Sequence, residues 1–474
     1  MVSTIFKKKN LYGYSLVVIA LLVNILYLHQ DSKIVSLSKD TRPGGMVWIY
    51  PAYSFYKGKI SNYYRNFNLK KDKYTLYDEG DKKSKLEVFP IGDTMAYPIV
   101  ASSIWKLFNK PSFLYLKIFN VVLFALSTFF LFQVCCFLFN SYLRAWCASL
   151  SVICFGPLIA TNVLWYRDIF QYFGFIVFLY VFLSYMQNKN KSLRFLLVGS
   201  FLFTLCQWIR ASLFPSFVIL SLTLLFWGLW GRYSIKKVRT FLIIFWIANI
   251  TLFWIPFSIF NYGTYGKFFV GPIGEAKLAS LCAPTFYDGF HFPVAGHSKY
   301  VFERLEKGIS KAKDYDGACE EYYAILKKKY PWQPIKALMY RIYMIFSQDI
   351  EWRIPEAVTH LPKDIKEKYI YAFSSSSAFL ELLLRLQVRL VRLFGILGML
   401  LALYRRNYFL LSLCMIGIVY SSGYMLLTHI EERILSVHVW PFALFAGSFL
   451  FDCIVFVFSY KRIQIKNHNK KIII

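Results

Sequence analysis

Long apolar runs separated by short polar connections organise this chain. The first run extends from Leu11 to about Leu28, behind Lys7, Lys8 and Lys9. No small-residue cleavage site follows it, so the pattern predicts a retained first helix rather than a removed signal peptide. Nine further spans of about 17–25 residues fit near 113–138, 143–163, 168–187, 193–210, 213–230, 237–260, 388–404, 407–427 and 435–459. Two long polar stretches interrupt them. The first, 29–112, is rich in aromatic residues and turns at Pro43-Gly44-Gly45. The second, 261–387, reads as mixed helix and loop, with helical patterns near 299–330 and 334–347. At its end, about 378–390, charge repeats at helical spacing and predicts an amphipathic helix lying on the membrane surface. No tandem repeat or low-complexity tract is visible.

The expected fold is therefore an all-α polytopic membrane protein of about ten transmembrane helices. Its parts would be a cytoplasmic tip with the first helix (1–28), a first extracytoplasmic loop with juxtamembrane helices (29–112) and transmembrane helices two to seven (113–260). A second extracytoplasmic segment (261–387), the last three helices (388–460) and a basic cytoplasmic tail (461–474) would complete it.

Composition closes off the alternatives. As a soluble protein, 474 residues would make two to four domains. But the chain is 57% hydrophobic, 20% aromatic and only 17% charged, with 47 Phe and 35 Tyr, more apolar surface than a water-facing exterior can cover. The same figures exclude a disordered chain, a coiled coil, a collagen and a small disulfide scaffold.

The formal charge of +29 first points to nucleic acid, but its lysines are spread over many short loops rather than gathered on one domain. Their distribution instead sets the topology. With the N-terminus in the cytoplasm and ten alternating spans, the inner connections hold Arg144, Lys189, Lys191, Arg194, Arg232, Lys236, Lys237, Arg239, Arg405 and Arg406. The tail adds Lys461, Arg462, Lys466, Lys470 and Lys471, while the short outer connections carry only Arg167, Arg210 and Arg433 as basic residues. Every short loop then obeys the positive-inside rule, and both long segments fall outside.

Of nine cysteines, seven lie in apolar runs, where Cys acts as a small hydrophobe; Cys282 and Cys319 fall in the long outer stretch, where they are candidates to pair. No CxxC or Cys/His spacing for a metal exists, and Asp288, His291 and His297 match no ligand motif.

In this topology the charged residues that the inside rule leaves unexplained gather on one face, and ionisable groups at such positions are functional candidates. The first loop supplies Asp31, Asp40, Asp78, Glu79, Asp81 and Asp93. A carboxylate near the membrane plane can serve as general base on a sugar hydroxyl; a solvated loop face is the ordinary reading of any one of them. Asp40 stands out because Thr41-Arg42 follow it, and then an aromatic segment from Trp48 to Tyr56. Asp168, after Arg167, stands at the start of an apolar helix, where it is also a good cap. Arg210 suits a phosphate, which guanidinium grips bidentately, or a lipid headgroup. His429, Glu431, Glu432 and Arg433 form a dense polar knot that Glu–Arg pairing alone would also explain. No Walker loop, GxSxG, HExxH or GxGxxG is present, so energy for a reaction must come from an activated substrate, such as a lipid-phosphate donor.

The order of these elements resembles the multi-spanning glycosyltransferases of the GT-C class, which include protein mannosyltransferases, aminoarabinose transferases and O-antigen-modifying transferases. Asp40-Thr41-Arg42 resembles the acidic motif after the first span. Phe89-Pro90-Ile91-Gly92, Tyr97-Pro98 and Ile104–Phe108 resemble the Pro-containing juxtamembrane helix. Tyr166-Arg167-Asp168 is similar to the second acidic position, and Gln207–Arg210 to the basic short loop after span five. Trp254-Ile255-Pro256 with Asn261-Tyr262-Gly263 resembles the close of span seven, and Glu432-Arg433 with Pro441 the late Glu-Arg motif. The first motif departs from the family in having Asp-Thr where an acidic pair is common, and Phe89 stands where aminoarabinose transferases carry a Lys, so that activity is not carried over.

The resemblance implies an inverting hexosyl transfer, in one displacement, from a polyprenyl-phosphate (undecaprenyl-phosphate) sugar to a lipid-linked or cell-surface glycan, such as O-antigen or lipopolysaccharide. Asp40 and Asp168 would be the catalytic pair, with Arg42, Arg167, Arg210, His429, Glu432 and Arg433 binding substrate. It implies no cofactor and no obligatory metal, although some members use a divalent cation. Partners would be donor, glycan or glycolipid acceptor and membrane lipid, without nucleic acid. The rival readings are a transporter or flippase of a lipid-linked glycan, which would place charges at the bilayer midplane, and a glycan polymerase or ligase. The outer segments lack Asn-x-Ser/Thr, which leans toward a bacterial inner (plasma) membrane with both termini cytoplasmic and the active site outside.

Overall fold

The computed structural model describes residues 2–37, 52, 55–56, 58, 96–111, 113–139, 141–156, 158–159, 168–187, 192–209, 213–229, 233–265, 328, 331–332, 335, 339, 386–407 and 440–458. Among the described residues every regular element is a helix. In chain order these are α1 (Val2–Leu37), α2 (Ala96–Leu107), α3 (Phe113–Phe139), α4 (Tyr142–Ile153), α5 (Asp168–Gln187), α6 (Leu193–Ile209), α7 (Leu213–Leu229) and α8 (Ile235–Asn249). A π-helical turn (Ile250–Trp254) leads from α8 into α9 (Ile255–Tyr265), and α10 (Leu386–Tyr404) and α11 (Trp440–Phe458) follow. Among the described residues five helical stretches are long and apolar enough to cross a membrane: Leu114–Phe139, Ile169–Gln187, Ile235–Ile259, Leu386–Tyr404 and Trp440–Phe458. Outward faces such as Leu197, Val198 and Phe201 on α6, or Leu393, Leu397 and Leu400 on α10, are exposed and apolar, as a lipid-facing surface requires.

α3 lies at the centre, packed against α1, α4 and α5, while α6 links α5 to α8. Aromatic side chains fill the seams. Phe178 of α5 meets Phe203, Phe217, Phe241 and Phe245 at centroid separations of 5.3, 5.8, 5.4 and 5.1 Å, so four helices share one aromatic layer. Two close approaches depend on missing side chains. A Cβ on Gly398 would lie 2.6 Å from the Phe445 carbonyl oxygen, and one on Gly447 would lie 2.5 Å from that of Cys147. α11 is thereby drawn against α10 and α4 through small residues, the usual device where lipid supplies no hydrophobic drive.

The structure departs from the sequence expectations in three places. α1 runs for 36 residues, about 54 Å at 1.5 Å per residue, well beyond the apolar run that predicted it. The span expected at 143–163 is not one helix: α4 ends at Ile153, and Cys154 leaves helical geometry at φ −90°, ψ 3°. Gly156-Pro157 explains this, because proline offers no N–H to the carbonyl four residues earlier and disfavours helix at the residue before it. The break is closed from outside. Gly156 N–H donates to Gln387 Oε1 at 3.1 Å, and Gln387 Nε2 donates to the Cys154 carbonyl at 2.6 Å. Third, residues 386–390, the end of the expected surface helix, belong to α10. The span at 407–427 and most of both long polar segments, Cys282 and Cys319 among them, lie outside the described residues.

Candidate functional site

The helices divide into two ends by register. At one end the close of α3 meets the close of α5, where Gln187 Nε2 donates to the Phe137 carbonyl at 3.4 Å, and Lys237 at the start of α8 donates to the Met186 carbonyl at 3.5 Å. Arg144 and Arg405 lie at this end too. It is the basic end that the sequence assigns to the cytoplasm. The opposite end contains the start of α3, the start of α5, the close of α6, the π turn and the starts of α10 and α11. Of the sequence-predicted site residues, Asp168 is described, and it stands at this second end.

Described parts of five of the motifs singled out in the sequence lie there. Tyr97, in the first turn of α2, is buried and sits edge-on to Phe170 of α5 at 6.0 Å, two residues beyond Asp168. Phe119 of α3 stacks on the same Phe170 at 6.0 Å. Trp440, beside Pro441 at the start of α11, sits edge-on to Tyr172 and Phe175 at 5.8 and 5.9 Å. The first turns of α5 are therefore enclosed by the juxtamembrane helix, the second span and the last one. α2 has the predicted position and reaches α3 through a tight turn, in which Lys110 N–H donates to the Trp105 carbonyl and Asn109 takes φ 51°, a conformation Asn tolerates well.

The remaining pair joins α6 to the π turn, and a proline explains how. Pro256 has no N–H to offer Leu252, four residues earlier, so the helix shifts register and Ile255 N–H donates to the Ile250 carbonyl instead. The freed Leu252 carbonyl accepts from Trp208 Nε1 at 2.6 Å. The Trp208 ring also lies against Phe253 and Phe257 at 5.9 and 5.8 Å. Gln207–Arg210 and Trp254-Ile255-Pro256, read separately in the sequence, are one structural unit.

Buried polar side chains, most of them passed over in the sequence reading, lie in the same half of the bundle. Lys117 is 2% exposed and Asn120 fully buried, one turn apart near the start of α3; Gln171 of α5 and Arg392 of α10 are also buried. Gln207 and Asn249 are fully buried on the α6–α8 seam. They are bracketed by the Phe203–Phe245 contact (5.9 Å) on one side and the Trp208–Leu252 bond on the other. Most polar groups in these helices bond to their own backbone, as Thr204 Oγ1 does to the Ser200 carbonyl and Asn249 Nδ2 to the Phe245 carbonyl, both at 2.8 Å. Gln207 does not: its amide oxygen and nitrogen, and the amide oxygen of Asn249, have no hydrogen-bond partner. Three unmet amide atoms thus lie beside the π turn, outward of the aromatic layer, where buried polar groups ordinarily have partners. The signal for these residues was present: Lys, Asn and Gln inside apolar spans are functional candidates by default.

Asp168 is the first residue of α5, as expected, a position where a carboxylate complements the helix dipole. Asp40, Arg42, Arg167, Arg210, His429, Glu432 and Arg433 lie outside the described residues. Two of these adjoin described helix ends in sequence, Arg167 before α5 and Arg210 after α6. Among the described residues no three His, Cys, Asp or Glu come together as a metal would need.

No family model matches the chain, and no curated sequence matches it. Among solved structures it is similar to the archaeal oligosaccharyltransferase AglB from Archaeoglobus fulgidus, in complex with an inhibitory peptide and a dolichol-phosphate. That likeness has a TM-score of 0.50 at 14% identity and covers 97% of this chain. The chain spans about half of that protein's length, 52%. A second match, at TM-score 0.34 and 13% identity, covers 91% of this chain and 76% of ArnT from Cupriavidus metallidurans bound to undecaprenyl phosphate. The first likeness gives the fold: nearly the whole chain follows part of the helical plan of that protein.

Proposed function

We propose that this chain is an integral-membrane glycosyltransferase that moves a sugar from a polyprenyl-phosphate donor to a lipid-linked or cell-surface glycan, such as O-antigen or lipopolysaccharide, on the extracytoplasmic face. The observation that carries the reading is the shared fold, over 97% of the chain, with an oligosaccharyltransferase solved with dolichol-phosphate. The convergence of the resemblance's motifs around the start of α5 supports it.

The transfer is a single displacement with inversion. The acceptor hydroxyl oxygen forms a bond to the anomeric carbon as the bond from that carbon to the phosphate oxygen breaks, and the hydroxyl proton passes to the Asp40 carboxylate. Polyprenyl phosphate departs with the bonding pair. Arg210, with Arg433, neutralises the charge that grows on it, which is where electrostatic stabilisation is worth most. Asp168 orients the substrates, and Arg42, Arg167, His429 and Glu432 bind them. The Gln207 and Asn249 amides lie one residue from Trp208 and one from the π turn, and hydrogen-bond oxygens of the bound sugar phosphate. Beneath them the aromatic layer around Phe178 keeps the site closed to water from the basic end.

The test is transfer of labelled sugar from a polyprenyl-phosphate donor by purified wild type, Asp40→Asn, Asp168→Asn and Arg210→Ala, with EDTA in a parallel set. Loss of about 10²-fold or more in Asp40→Asn and Arg210→Ala, with folding intact, is expected for a base and an oxyanion partner. Movement of lipid-linked glycan across vesicles without any transfer would favour a flippase instead.

A further inference from the structure

The basic end of the bundle holds a charged cluster that the transfer reaction does not use. Asp452, near the end of α11 and the single acid of its span, pairs with Arg144 through Oδ1 and with Arg405 through Oδ2, the latter at 2.7 Å. Two guanidinium groups thus share one carboxylate, leaving one positive charge over. Arg144 is further fixed by the Phe451 ring, 5.4 Å from its guanidinium carbon, and its Nε is buried with no acceptor. The three side chains border a cavity of about 50 Å³ between α4, α10 and α11. That exceeds the roughly 10–15 Å³ a single water needs. Ser448 and Asn407 contribute polar atoms to its lining, and Leu401, Phe445 and Phe449 form its apolar wall.

Two lining residues, Arg405 and Asn407, flank a strained turn. α10 ends with Asn407 N–H donating to the Ala402 carbonyl at 2.8 Å and Arg406 N–H to the Leu403 carbonyl at 2.9 Å. That closure puts its penultimate residue in the left-handed region, where glycine is usual, yet Arg406 occupies it at φ 55°. A position that favours glycine on backbone grounds therefore carries a third cation, next in sequence to Arg405.

We propose that this cavity is a binding site for a phosphate-bearing anion, supplied by an anionic membrane lipid of the leaflet at the basic end. Guanidinium groups take phosphate oxygens in pairs, and here two of them, with one positive charge over, line a single cavity. The apolar wall of Leu401 and Phe449 continues onto the exposed Leu397, Leu400 and Leu403 of α10, a surface for acyl chains that a soluble phosphate ester would leave bare. The lipid head takes up the positive charge that Asp452 leaves over.

Full-length protein in detergent is titrated with phosphatidylglycerol and, separately, phosphatidylcholine of the same chains, and bound lipid is counted by native mass spectrometry. The expected wild-type preference for phosphatidylglycerol is about tenfold, falling away in Arg405→Gln and Arg144→Gln and recovering in Arg405→Lys, as one charge-assisted bond predicts. Asp452→Asn raises the local charge and tightens phosphatidylglycerol by about threefold or more, although it removes both ion pairs. Unchanged lipid preference in folded Arg405→Gln, or loss of binding in folded Asp452→Asn, would reduce the cluster to a staple between helices and overturn the site. Displacement of the lipid by millimolar inorganic phosphate would overturn the lipid source and leave a soluble phosphate as ligand.

Discussion

Replacing Gln387 by Met keeps the length of the side chain and removes both of its hydrogen-bonding atoms. In the native structure that amide closes the break in α4, accepting from Gly156 N–H and donating to the Cys154 carbonyl. Hydrogen bonds inside membrane proteins are worth about 0.6 kcal/mol on average and up to about 1.7 kcal/mol, because the unfolded chain in lipid also finds partners. Two of them give about 1.2 kcal/mol, rising to about 3.4 kcal/mol if the orphaned backbone groups find no water. The expected loss is therefore about 1–3 kcal/mol in equilibrium unfolding, followed by tryptophan fluorescence in mixed micelles of dodecyl maltoside and dodecyl sulfate. Leu393→Ala on the lipid-facing side of the same helix is the control, with an expected change of no more than about 0.5 kcal/mol. The break also has a functional consequence, since the chain leaves α4 here on its way to Trp165-Tyr166-Arg167-Asp168. Gln387→Met is thus expected to lower transfer as well as stability. Stability of Gln387→Met indistinguishable from that of Leu393→Ala would refute the view that the side-chain amide substitutes for the missing helix bonds.

Three further outcomes follow from the geometry. Gln207→Leu removes two unmet amide atoms from the core and is expected to stabilise the fold by about 1–2 kcal/mol while lowering transfer; gain of stability with full activity would take Gln207 out of the site. Gly447→Ala places a methyl group against the Cys147 carbonyl and is expected to cost about 1–3 kcal/mol in the same unfolding assay, since backbone on the facing helix cannot step aside. Trp208→Phe is expected to cost about 1 kcal/mol in the native sequence and much less beside Pro256→Ala, which restores an N–H for the Leu252 carbonyl; equal costs in both backgrounds would disconnect the indole from the proline.

Much of the helical frame could be read from apolar run length alone. α3, α5 and α6 begin and end within one or two residues of their expected bounds, because lipid demands about 20 apolar residues and little else. What run length does not carry is partnership. Pro256 announces a carbonyl without a donor, but nothing local says that Trp208, 44 residues away, supplies it. Pro157 likewise marks a break in the fourth span, while the Gln387 that mends it lies 233 residues from the carbonyl it reaches. Single polar residues in apolar runs were the second blind spot. Lys117, Asn120 and Asp452 are each diluted by their neighbours in any hydropathy average, yet they mark the polar half of the bundle and the ion cluster at the other end. The candidate site was legible as motifs in order along the chain. Their meeting around Phe170, Tyr172 and the π turn depends on packing between helices distant in sequence.

The measurement that bears most directly on the proposed activity offers purified wild-type protein one lipid-linked glycan acceptor and two donors carrying the same labelled sugar. One donor is a polyprenyl monophosphate and the other a nucleotide diphosphate. Label should pass to the acceptor from the polyprenyl donor alone, with release of polyprenyl phosphate in equal amount. Transfer from the nucleotide sugar, or from neither donor across a panel of sugars, would contradict it.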